Sequence, residues 1–176
     1  MVTGNSNKLR EWQAVLPDDM EIGTVDVDLD EIQSDDPVEI VTDKVKRAYA
    51  EVGKPVVVED VEAGLEKLNG LPGPFIKFFL KRLGKDALYH LAGAEGEKAM
   101  ISCTIGYYDG HELLTVQGKL DGTVVAPRGE GFGFDATFQP AGESETFGEM
   151  GEEKKNTLSH RKKAIEMLVK ELQERR

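Results

Sequence analysis

Pro55-Val56-Val57-Val58 is the segment that most constrains the fold of this chain. Three successive β-branched residues leave no polar face for water, so they predict a short strand at the centre of a sheet covered on both sides. Covering both faces requires helices, and amphipathic patterns flank the strand. Leu9, Trp12, Val15 and Leu16 form a helical stripe that Pro17 stops. Asp36-Pro37-Val38-Glu39 reads as a capping box with proline at the first helical position, followed by Val38, Val41, Val45, Ala48 and Val52 before Gly53 ends the helix. Val25, Val27 and Leu29 alternate with Asp26, Asp28 and Asp30, the period of a half-buried strand.

Gly70-Leu71-Pro72-Gly73-Pro74 breaks the chain ahead of a helix through Phe75, Ile76, Phe79, Leu80 and Leu83, and a shorter helix follows around Ala87 to Leu91. Strands over Ala99 to Tyr108 and Glu112 to Gly118 join through Asp109-Gly110, a dipeptide suited to a two-residue hairpin turn. After a loop from Ala126 to Gly133, a last helix carries Ala164, Ile165, Leu168, Val169 and Leu172 on one face, with Ser159 as its cap. Hairpin and crossover patterns together predict an α/β fold with a mixed sheet and flanking helices. Its length, 176 residues, suits one domain, single or two-lobed, over 1–176.

Composition narrows the partners. A net charge of -11 argues against a nucleic-acid polymer, which demands a broad basic surface. Basic groups focused in one cleft still suit a small anion. No window reaches the roughly 18 apolar residues that span a bilayer, and no apolar signal segment opens the chain. The single cysteine, Cys103, lies in an apolar run as a buried, inert thiol, which points to a reducing cytoplasm.

Four motifs carry chemistry. Thr3-Gly4-Asn5-Ser6-Asn7-Lys8 leads from a short apolar start into a helix: a hydroxyl, a glycine, a cap and a lysine in the layout of a phosphate cradle. Glu59-Asp60 follows the valine strand, where two carboxylates suit a phosphate-bound magnesium; the same pair would serve as a helix cap or surface charge. Gly131-Phe132-Gly133-Phe134-Asp135 sets aromatic faces beside a carboxylate, which suits a flat heterocycle but equally a loop packed inward. Ser159-His160-Arg161 opens the last helix, either as donors to a base or phosphate or as a capped start, with Lys154 and Lys155 just before.

In this order and spacing, these motifs and Gly70-Leu71-Pro72-Gly73-Pro74 resemble the inosine triphosphate pyrophosphatase family of nucleotide-pool sanitising enzymes, over essentially the whole chain. The resemblance implies an elongated two-lobed fold around a long twisted mixed sheet, a homodimer, and an active site in a central cleft between the lobes. It also implies magnesium-dependent hydrolysis of ITP, dITP and XTP to monophosphate and pyrophosphate. Carried over by position, Thr3, Asn5 and Lys8 match the triphosphate-binding turn and Lys44 a phosphate-contacting lysine. Asp60 matches the acidic residue that activates water or organises the metal, and Glu31 a further magnesium carboxylate. Phe132, Phe134 and Asp135 match the base-stacking loop, and Lys155, Ser159, His160 and Arg161 the segment that reads the six-position oxygen of the purine. Two other readings are a related pyrophosphatase for other modified nucleotides and a nucleotide-binding module without turnover. The chain departs from the family pattern twice: only Met1 and Val2 precede Thr3, giving a short first strand, and Val61 follows Asp60 where serine or threonine is common.

Overall fold

The computed structural model describes residues 1–175 and gathers them into two compact units. The first comprises residues 1–61, 103–118 and those from His160 onward; the second comprises Glu62–Ser102 and Lys119–Ser159.

In the first unit, helix α1 spans Ser6–Val15, and the Asn5 side chain caps it by accepting from the amides of Asn7 and Lys8 at 3.0 and 3.4 Å. Helix α2 spans Pro37–Val52, with Asp36 accepting from the Val38 amide and Gly53 closing it in the left-handed region. The expected capping box is not closed by its own glutamate. Glu39 accepts from the Ser34 hydroxyl at 2.6 Å, and the Asp36 amide donates to the same hydroxyl at 3.0 Å, so Ser34 takes the reciprocal role.

Strand β1 runs from Val56 to Leu65, well past the valines. Its side chains divide between two apolar layers. Val56 and Val58 pack with Val2, Val41, Val45 and Ala48, whereas Val57 and Val61 lie against Trp12, Cys103, Ile105 and helix α6, His160–Glu174, through Ala164, Ile165 and Leu168. That is the two-sided coverage the valine run predicts. The expected strand at Val25 is reduced to one parallel bridge with Val2. Its partner is the Met1 to Thr3 segment, through Val25 N–H to Met1 O and Thr3 N–H to Val25 O, while the Val2 amide donates to Val57 O at 3.0 Å. Val27 and Leu29 still pack on the α2 layer, so the alternation marks burial without a ladder.

In the second unit, β2, Pro72–Gly73, pairs antiparallel with β1 through Ala63 and Gly64. Helices α3, Ile76–Leu83, and α4, Ala87–Ala92, follow as the sequence predicts. Strands β3, Glu97–Tyr108, and β4, Leu113–Val124, are joined by a wider turn than Asp109-Gly110 suggested. The Asp109 carboxylate accepts from the amides of His111 and Glu112 at 2.8 and 2.7 Å, a side-chain-closed turn that competes with the two-residue form. Strand β5, Phe138–Pro140, pairs antiparallel with β4, and helix α5, Glu152–Leu158, precedes Ser159; neither was legible in the sequence. The sheet order is β2-β1-β3-β4-β5. Its pairings β1/β2 and β4/β5 are antiparallel, and the parallel Val2–Val25 contact is an isolated bridge outside the five strands, so the sheet is antiparallel where the sequence predicts a mixed one.

One close approach seats α6. A Cβ added at Gly118 on β4 would stand 2.2 Å from the His160 carbonyl oxygen and 2.5 Å from the Ala164 nitrogen, so backbone meets backbone. Gly118→Ala is expected to cost about 2 kcal/mol or more in urea denaturation, because neither backbone can move aside cheaply. Gly23→Ala, where an added Cβ meets nothing within 4 Å, should stay within about 0.5 kcal/mol of the parent.

Candidate active site

The amino-terminal turn is held by its own side chains. Thr3 Oγ1 accepts from the Asn5 amide at 3.1 Å, and Asn5 Oδ1 caps α1. A Cβ added at Gly4 would stand 2.9 Å from the carboxylate of the exposed Asp26, a side-chain end that can swing aside. The cap sets Lys8 in the first turn of α1, from which its Nζ reaches Glu59 Oε1 at 3.2 Å.

Glu59 is the most heavily partnered carboxylate of the first unit. Its Oε2 accepts from the Trp12 indole N–H at 2.7 Å, and Arg161 donates to both oxygens from Nε, at 3.1 Å each, and to Oε1 from Nη2 at 2.9 Å. Burial by itself would push this carboxyl upward. The Arg161 and Lys8 cations and the hydrogen bonds from Arg161 and Trp12 outweigh it and hold Glu59 well below the usual carboxylate range. Burial likewise opposes the charge on Arg161, but Glu59 and Glu11 hold the guanidinium firmly protonated. Arg161 is only 2% exposed, and its Nη1 also pairs with Glu11. The sequence pictured Arg161 as a reader of the purine oxygen; the structure turns its guanidinium inward onto β1 and α1. Cys103 is buried close by, and burial, then the Glu59 charge, push its thiol well up, as befits an inert cysteine.

Asp60, the next residue, faces the α2 layer, because side chains alternate along a strand. It is buried, and its charge acts on Lys44 of α2. Lys44 Nζ donates to Glu31 Oε2 at 3.0 Å and lies 3.5 Å from the Glu59 carbonyl oxygen. Burial, then repulsion from Lys8, lower the Lys44 pKa, against the pull of Asp60 and Glu59. Two lysines thus stand close enough to repel one another beside Asp60. The sequence placed Glu59-Asp60 at a strand end; both lie inside β1, where each carboxylate is buried with charged neighbours.

The second unit holds the other expected residues. Lys155 of α5 is 7% exposed, and its Nζ donates to Asp135 Oδ2 at 2.8 Å while standing 4.6 Å over the Phe132 ring and 5.4 Å from that of Phe147. Asp135 Oδ2 also accepts from the Phe132 amide at 3.2 Å, which folds the glycine-rich loop back on itself. Phe134 is buried and meets Phe138 edge-on at 6.4 Å, so this ring packs into the core; Phe132 alone of the two is half-buried. Ser159 lies between α5 and α6, immediately before His160 at the cap position expected of it, and donates its amide to Lys155 O at 3.0 Å. His160 starts α6 and is buried in the first unit.

Sequence reasoning missed Trp12 and Glu11 as members of the Glu59 cluster. The signal was present: adjacent carboxylates inside an apolar strand face opposite ways, so one must be neutralised by whatever covers its face.

A capped helix start, two lysines and strand carboxylates thus converge around β1 in an α/β fold. A sequence profile of the Ham1 family matches residues 1–171, and the chain belongs to that family. It is 46% identical over 172 residues to the inosine triphosphate pyrophosphatase of Yarrowia lipolytica, covering 95% of this chain and 91% of that protein. It is 44% identical over 164 residues to the inosine triphosphate pyrophosphatase of Schizosaccharomyces pombe, covering 91% and 87%. The structure of a HAM1 protein from Coxiella burnetii superposes with a TM-score of 0.81 at 27% identity, over 98% of this chain and 96% of that one. The Staphylococcus aureus Ham1 protein, at 23% identity, shares the fold with a TM-score of 0.82, over 99% and 98%.

Lys155→Met is expected to destabilise the protein by about 3 kcal/mol, because it leaves the buried Asp135 carboxylate without its ammonium. Adding Asp135→Asn should restore much of that loss. Urea denaturation of the single and double variants checks both.

Proposed function

We propose that this chain hydrolyses ITP, dITP and XTP to nucleoside monophosphate and pyrophosphate, with magnesium, as a cytoplasmic homodimer that clears aberrant purines from the nucleotide pool. The observation that carries the reading is the grouping of Lys8, Lys44 and Asp60 around β1 beside a capped helix start. Membership of the Ham1 family and the names of the Yarrowia lipolytica and Schizosaccharomyces pombe relatives support it.

Cleavage between the α and β phosphates needs a positioned water, charge neutralisation on the leaving pyrophosphate and little covalent work by the protein. Lys8 and Lys44 supply fixed positive charge, and the Thr3 to Lys8 turn orients the phosphates toward it. Asp60, buried beside Lys44, takes a proton from water or holds the metal. No group of three or more His, Cys, Asp or Glu side chains forms a metal cage among the described residues. Magnesium does not need one: it takes one or two carboxylates and completes its shell with phosphate oxygens and water, and Glu31 with Asp60 fits that demand. When bound, the ion neutralises phosphate charge and polarises the phosphoryl oxygens.

Phe132 offers the ring that stacks the base, with Lys155 and Asp135 fixing the loop and Phe134 anchoring it in the core. Donors from the Lys155 to His160 segment suit a six-keto oxygen, and an adenine amino group there would leave them unpaired, which costs on the order of 1–3 kcal/mol. Arg161 serves this reading from behind, through Glu59. The single buried cysteine suits a reducing cytoplasm, and no helix among the described residues is long and apolar enough to cross a membrane.

With magnesium, ITP and XTP should yield monophosphate and pyrophosphate, and ATP should be at least roughly tenfold poorer in kcat/KM. Phosphorus NMR of the products decides it, and orthophosphate released from the γ position sinks the proposal. Asp60→Asn should lower kcat about a hundredfold or more with folding preserved.

Because burial and Lys8 lower the Lys44 pKa, its ammonium loses the proton as pH rises at lower pH than an ordinary lysine near 10.4. The alkaline fall in kcat/KM should therefore begin below the usual lysine range, and Lys44→Arg should move it upward. Coincident pH profiles for the two proteins would assign that limb to another group.

A further inference from the structure

Glu59 is the carboxylate in the first unit least able to act as a base. It is 3% exposed, both oxygens are occupied by donors from α1 and α6, and the adjoining cations keep it ionised. Yet it touches each of the two lysines assigned to the triphosphate. Its Oε1 pairs with Lys8 Nζ at 3.2 Å, and its main-chain oxygen lies 3.5 Å from Lys44 Nζ. The pair with Lys8 is graded in exposure: the lysine side chain is 22% exposed and the glutamate side chain 1%. The ammonium is therefore held by a buried carboxylate while part of the lysine side chain stays accessible, whereas an untethered lysine keeps four flexible bonds to be ordered when ligand arrives.

From this we infer that Glu59 is a positioning residue for polyphosphate, resting on the pyrophosphatase reading above: backed by Arg161 and Trp12, it preorganises Lys8 beside Lys44. Arg161 supplies the counter-charge that lets the carboxylate stay ionised in the core, and Trp12 fixes its rotamer by a hydrogen bond at 2.7 Å. Lys8, Lys44 and the buried cations then form one preset field into which a triphosphate enters without reordering either lysine. Since the group held this way contacts phosphate and never base, its loss weakens all triphosphates alike.

The test is a double-mutant cycle of Glu59→Gln and Lys8→Ala, read by calorimetric binding of inorganic tripolyphosphate and by KM and kcat for ITP and ATP. Glu59→Gln is expected to weaken tripolyphosphate about tenfold and to raise KM for ITP and ATP by the same factor, with kcat moving less. In the Lys8→Ala background it should add less than about threefold. If the two effects multiply, Glu59 acts only on folding and the inference is overturned. Should Glu59→Gln fail to fold, Glu59→Asp keeps a charge for Arg161 but draws the carboxylate back from Lys8; measured well below its own melting temperature it should weaken tripolyphosphate severalfold, and parental binding would overturn the inference. Tripolyphosphate carries no base and needs no turnover, so this arm decides on Glu59 even if ITP proves not to be cleaved.

Discussion

The first unit depends on one buried ion pair. Arg161 and Glu59 are both removed from water, a state that costs several kcal/mol per ion unless every lone pair and proton is satisfied. They are satisfied by α1, which contributes Trp12 to the carboxylate and Glu11 to the guanidinium. Strand β1, helix α1 and helix α6 are thereby tied at one point, and losing either ion would strand the other at a cost of about 3–5 kcal/mol. The apolar cluster of Trp12, Ile105, Ala164, Ile165 and Leu168 supplies attraction without direction. The ion pair supplies the direction.

Much of the architecture could be read from residue order because it rests on local rules. Asn5, Asp36 and Gly53 cap or close their helices by contacts within a few residues, and the valine run declares a strand covered on both faces. The errors fall where a distant partner decides. Strand β1 continues through Glu59, Asp60 and Glu62, which no propensity favours, because burial with partners such as Arg161 and Ser102 outweighs the local preference. The Val25 alternation marks burial, but Val25 joins the Met1 to Thr3 segment through a single bridge and builds no ladder. Strand β5 has three residues, too few for any period to show.

The chemistry was legible to a similar depth. Residue types and spacing singled out Lys8 and Asp60, the family resemblance added Lys44, and the structure gathers them around β1. Orientation was not legible. Ser159-His160-Arg161 reads as an outward-facing helix start, but the close seat of α6 on Gly118 and the demand of a buried carboxylate turn Arg161 inward. In the same way Phe134 looks like a stacking ring until Phe138, four residues later, claims it for the core. A motif names the groups present, and only the packing around them says which are spent on structure.

Glu59 and Asp60 are neighbours with opposite assignments, one sealed against α1 and α6 and the other turned toward α2. The division of labour is made by the pleat and not by the side chains, which carry the same charge and differ by one methylene. Inserting or deleting a single residue in the valine run would keep both carboxylates, yet it would exchange their faces, turning Glu59 toward α2 and Asp60 toward α1 and α6. The segment Pro55 to Asp60 is thus sensitive to frame as well as to identity.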